Sequence, residues 1–157
     1  MPSPRVPSAR VLQNRAKRVV MNRAALDAAQ LGIADGLIAI GAQVVADYKA
    51  NAPRDPEAAA ARGVPMMADQ GKFVVYALGK KVGGDEGGTG KPRAMRTPKD
   101  QVVLGVWVAS PLAHLVELGT IKMQARPTLL PAFDARLPGA AQFIPEAIAL
   151  RIKAVPG

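Results

Sequence analysis

The 157-residue chain carries 21 Lys and Arg against 12 Asp and Glu, a formal net charge of +9, and no cysteine. The missing cysteines exclude a disulfide framework and thiolate metal sites. Aromatics at 4% imply an aliphatic core and exclude the stacking platforms of single-strand nucleic-acid binders. The length fits one domain with a real core, and the basic balance suits a nucleic acid, an acidic membrane surface or an acidic protein without choosing among them.

Residues 1–8 hold three prolines and little to bury, and read as an extended arm. Ala9 to Ala25 favours helix with one-sided charge: Arg10, Arg15, Lys17, Arg18 and Arg23 precede the first acid, Asp27. Residues 1–25 are therefore a basic N-terminal arm or helix, either solvated or reaching a neighbouring subunit or a nucleic acid. No apolar leader core and no uninterrupted apolar run of about eighteen residues are present, so neither a secretory signal nor a membrane-spanning helix is expected.

Residues 26–157 read as a single α+β domain. Leu26 to Lys49 is the clearest helix, with Leu26, Ile33, Leu37, Ile40, Val44 and Tyr48 on one stripe. Gly32, Gly36 and Gly41 weaken it locally but fit close packing against another backbone. Ala52-Pro53 ends it. Residues 54–70 form a linker, with a helical turn at 57–62 stopped by Gly63 and Pro65. Lys72 to Leu78 reads as a buried strand and Gln101 to Ala109 as a second, with Gly105 at a bulge. Residues 80–100 read as a long flexible loop between them. Two strands make a poor sheet, so further strands must come from loops or partner subunits.

Pro111 to Leu118 reads as a short helix with Ser110 as N-cap, Pro111 at the first position and Gly119 at the C′ position. A polar loop follows to Arg126. Leu129 to Leu137 is a short helix ended by Pro138-Gly139, and a last helix begins near Pro145 with Ile148, Ile152 and Val155 as its apolar stripe.

The chemistry-like motifs fail on inspection. In Gly83 to Pro92 the first glycine of a phosphate-binding loop falls on Asp85, and its Ser/Thr position is Pro92. Gly83-Gly84-Asp85-Glu86 matches the first letters of the diguanylate cyclase signature but continues with Gly87. His114 and Glu117, three apart on a helix, lack the further ligands zinc needs. No nucleophile–base pair emerges. The reading is not an enzyme, without catalytic residue, metal or cofactor.

Leu112-Ala-His-Leu-Val-Glu-Leu-Gly-Thr120 followed by Ala125-Arg-Pro-Thr-Leu-Leu-Pro-Ala132 resembles a pattern of tailed-phage tail-component proteins that act at the head-to-tail joint, Y-A-x-x-V-E-x-G-T … A-x-P-F-L-x-P-A. Lys49-Ala-Asn-Ala-Pro53 resembles the same family's Lys-x-x-Ala-Pro phrase at the end of a long helix. Leu112 replaces the usual tyrosine and Thr128 the usual phenylalanine. Asp69-Gln70-Gly71, after an insertion, stands where Thr-Gly is usual. The resemblance implies a long helix packed on a small antiparallel sheet with a C-terminal helix. It also implies a structural virion protein, assembled in the host bacterial cytoplasm, forming a six-fold ring that terminates or completes the tail tube and joins it to the head connector. Its implied partners are further copies of itself, a connector or stopper protein and the tail tube protein. The resemblance further implies that genomic DNA passes through the lumen without specific binding, and no membrane partner is expected. Another morphogenesis role (head closure, adaptor, minor tail protein) or a basic nucleic-acid-binding protein is the alternative.

The expected subunit-contact residues are Glu117, Gly119, Thr120, Arg126, Pro127, Leu129 and Pro131. A carboxylate just before a helix C-terminus opposes the helix dipole and needs a partner; Arg126, or an arginine of the next subunit, is the expected one. Pro127 and Pro131 restrict the segment between them, lowering its ordering cost on docking. Lys80, Lys81, Lys91, Arg93 and Arg96 are expected to form a partner-docking loop.

Overall fold

The computed structural model describes the backbone of residues 9–85 and 98–155, with side chains from residue 23 onward. The elements are α1 (Ala9–Asn51), α2 (Pro56–Arg62), a 3-10 turn (Met67–Gln70), β1 (Gly71–Ala77), β2 (Lys80–Gly84), β3 (Val103–Val108), α3 (Ala113–Leu118) and α4 (Leu129–Lys153). The fold is α+β: α1 packs on a three-stranded antiparallel sheet of order β2-β1-β3, and α4 lies along α1.

The 43-residue α1 passes residue 26 without a break. The expected stripe is largely inside, with Ile40, Val44 and Tyr48 buried, but Leu26 is exposed because only the later turns are covered. Arg23–Asn51 is long and apolar enough, at mean hydropathy 1.5, to pass the length-and-composition test for a membrane span that run length alone did not suggest. Half of that window is packed inside the subunit. A core helix covered by α4 and the sheet accounts for it.

Residues 129–153 form one 25-residue helix, not two, and Pro138 and Pro145 lie within it. An internal proline removes a hydrogen bond to the carbonyl four residues back, at about 3 kcal/mol. Here the prolines are seven apart and exposed, and Asp134 and Ala141, whose carbonyls lose their donors, are exposed too. Water can satisfy those carbonyls while the opposite face stays pinned to α1. That face carries Ala132, Phe133, Ala140, Ile144 and Ile148; of the expected C-terminal stripe, Ile152 is exposed.

α1 and α4 are antiparallel, since Gly32 faces Ile148, Gly36 faces Ile144 and Asp47 pairs with Arg136. A Cβ on Gly32 would lie 2.5 Å from the Ile148 Cα, so the absent side chain sets the interaxial distance. Gly41 differs: its face meets the Phe73 and Leu104 side chains of the sheet.

The sheet gains its third strand from residues assigned above to a flexible loop. Lys80–Gly84 pairs with β1 through a two-residue turn at Leu78-Gly79, both at positive φ (54° and 74°), the geometry that matches strand twist in tight hairpins. Asp85 closes it, its N–H on the Phe73 carbonyl (2.7 Å) and its Oδ2 accepting the Phe73 N–H (3.1 Å). The irregularity in the ladder falls between Val75 and Tyr76, whereas Gly105 pairs in plain register with Val74. α2 forms as expected, with Asp55 capping Ala58 N–H at 2.9 Å and Gly63 at φ 63° ending it.

Two arginine–carboxylate forks tie α4 to α1. Arg136 donates to both Asp47 oxygens (2.5 and 2.8 Å), and Arg151 to both Asp35 oxygens (2.7 and 3.1 Å). The hydrogen bond from Arg136, helped by its charge, lowers the Asp47 pKa from 3.8 despite partial burial. Because the folded value is the depressed one, this stabilisation is present above the unfolded value and is lost as pH falls through the folded one. Asp47→Asn is therefore expected to lower stability near neutrality and to flatten the loss of stability below pH 3.8. Urea titrations across that range check it; equal acid slopes for variant and parent would refute it.

Candidate functional site

The resembling segment folds into one unit: α3, a tight turn and the first turn of α4. The start of α3 differs from expectation by two residues, because Pro111 and Leu112 form a turn in which Leu112 N–H meets Ser110 Oγ at 3.3 Å. Gly119 ends α3 as expected, donating to the Leu115 carbonyl at 2.9 Å with φ 75°. Its Cβ would strike the backbone of Met123 and Ala125, so both conformation and space require glycine there. Thr120 then pairs with Met123, and Arg126 N–H returns to the Val116 carbonyl at 2.8 Å.

Glu117 does need a partner, but Arg126 is not it. The Glu117 Oε1 accepts N–H bonds from Thr128 (2.9 Å) and Leu129 (2.8 Å), the first amides of α4. The Thr128 hydroxyl cannot serve as cap, since it is turned to the Arg126 carbonyl at 3.3 Å. A carboxylate from eleven residues upstream takes that place. The α3 C-terminus disfavours this charge and the α4 N-terminus favours it, so α3 is clasped against α4. The guanidinium of Arg126 is exposed.

Behind the clasp, Tyr48 of α1 is buried with its hydroxyl donating to the Met67 carbonyl at 3.3 Å. Burial, and secondarily the Glu117 charge, push its pKa up to about 12. In front of the clasp lies an open groove of about 460 Å3. Leu104, Gly105 and Val106 of β3 form one wall, and Leu118, Pro127, Leu130 and Phe133 close it, with Leu129 and Glu117 at its floor. Pro131 lies on the other side of the clasp, in a smaller recess of about 300 Å3 with Asp47, Asn51 and Ala135.

Expected contact residues thus converge, with Glu117, Pro127 and Leu129 lining the groove and Gly119, Thr120 and Arg126 shaping the adjoining turn. Of the expected docking loop, only Lys80 and Lys81 fall among the described residues. Lys80 and Lys81 belong to β2, and the Lys81 ammonium donates to the Asp85 carbonyl at 3.1 Å. Lys91, Arg93 and Arg96 lie outside the described residues, as do the side chains of Arg10, Arg15, Lys17 and Arg18; Arg23 is exposed on α1. His114 is exposed on α3.

Residue-by-residue reasoning missed Ile121, Leu118 and Leu130, which are 106%, 80% and 62% exposed. The available signal was Ile121 and Met123 inside the short loop between Gly119 and Arg126. The chain matches no protein-family model, no curated protein and no solved structure. What the site can do therefore rests on its own geometry. It offers an apolar groove against β3, an edge strand of the sheet.

Proposed function

We propose that this chain is a structural virion protein of a tailed bacteriophage, forming a six-fold ring at the head–tail joint that terminates or completes the tail tube. The observation that carries the reading is the clasp. The residues that resemble the tail-component pattern fold into one hydrogen-bonded unit that leaves Leu118, Ile121 and Leu130 exposed together. Monomeric proteins rarely leave large apolar side chains clustered in water without a partner to cover them. The α+β arrangement supports the same reading, since it is the one the resemblance implies. The neighbours would be the head connector or stopper protein on one side and the tail tube protein on the other.

Light scattering after size exclusion, followed by negative-stain imaging, tests it. Closed rings of one size are expected at high micromolar concentration or on addition of the tail tube protein. A protein that stays monomeric under both conditions would sink the proposal.

A further inference from the structure

The Thr120–Met123 turn is closed on itself. Thr120 N–H donates to the Met123 carbonyl at 2.8 Å, Met123 N–H returns to the Thr120 carbonyl at 3.2 Å, and Thr120 Oγ1 accepts the Lys122 N–H at 3.3 Å. Gly119 and the Arg126–Val116 bond anchor its two ends. At the tip of this ordered turn Ile121 is 106% exposed, as open to water as in an extended chain. It contributes no packing to its own subunit and does not fill the groove beside it. The groove, in turn, is apolar except for Glu117, whose Oε1 takes both amide bonds while Oε2 receives none among the described residues. Next to Ile121 stands the exposed cation Lys122.

We infer that Ile121 of one copy seats in the groove of a second copy, with the Lys122 ammonium meeting the Glu117 Oε2. The pairing matches an apolar knob to an apolar recess and a cation to the one carboxylate in it. Charge complementarity matters here, because two copies at +9 each repel and need a local opposite pair to fix register. Knob and recess are different surfaces of one chain, so a contact made once per pair of copies is heterologous and propagates head to tail, closing into a ring when the rotation allows. This rests on the ring proposed above and names the contact that builds it.

Complementation tests it. Ile121→Asp destroys the knob and keeps the groove; Leu130→Arg blocks the groove and keeps the knob. Both positions are exposed, and both variants should keep the parent's circular-dichroism melt. In sedimentation velocity the parent should assemble. Each variant alone should associate on the order of 30-fold more weakly or worse, as for loss of an interface hot spot. An equimolar mixture should form heterodimers, because it restores one knob-in-groove contact. A mixture as monomeric as its components, or either variant assembling like the parent, would overturn the contact. Variants that still form rings would refute this contact and leave the ring itself standing, whereas a parent that never assembles refutes both.

Discussion

Gly32→Ala should destabilise the fold by about 2 kcal/mol, even though alanine is the better helix former by about 1 kcal/mol. The added methyl would sit 2.5 Å from the Ile148 Cα, 2.8 Å from its nitrogen and 2.9 Å from the Ala147 carbonyl oxygen. All three are backbone atoms of a helix and cannot rotate away. α4 must move off α1, which loosens the packing on both sides of the crossing. At Gly36 the closest atom is Ile144 Cγ1 at 2.9 Å, a side-chain atom that can adjust, so Gly36→Ala should cost less. Urea unfolding gives the ranking, and the melting temperature of Gly32→Ala should fall by about 4–8 °C. A Gly32→Ala protein as stable as the parent would mean the two helices do not meet at this distance.

Glu117→Ala should cost about 1–3 kcal/mol of subunit stability, because the Thr128 and Leu129 amides lose their acceptor in a half-buried place. Glu117→Gln keeps an acceptor and should recover part of the loss. Arg126→Ala should stay within about 0.5 kcal/mol of the parent, as for a surface residue without a special contact. This departs from the expectation of a Glu117–Arg126 pair, under which both substitutions would impair assembly and leave the subunit folded. Thermal melts of the three variants separate the alternatives. Equal, small effects of Glu117→Ala and Arg126→Ala would return Glu117 to a surface role.

Much of the local structure was legible. The stripe from Ile33 to Tyr48, the glycine that stops α2, the β1 and β3 strands and the glycine that ends α3 each follow from a pattern a few residues wide. β2 was not legible, because Lys80-Lys-Val-Gly-Gly84 has neither alternation nor β-branched density. It becomes a strand through its turn and the open edge of β1. The unity of α4 was equally hidden. Two prolines read as breaks until packing shows that both face water while the other side of the helix is held by α1.

The site divides the same way. By itself the sequence determined that Glu117 needs a partner, since a lone carboxylate at the end of α3 opposes the helix dipole, and that Gly119 must turn the chain. It also determined that Gly32 and Gly36 admit a close backbone. Only the tertiary structure decided which partners these are. Those choices depend on distances between segments 11 to 116 residues apart in the chain. No local pattern encodes such distances. They are set when α4 docks on α1, which brings the amides of Thr128 and Leu129, rather than the guanidinium of Arg126, to the Glu117 carboxylate.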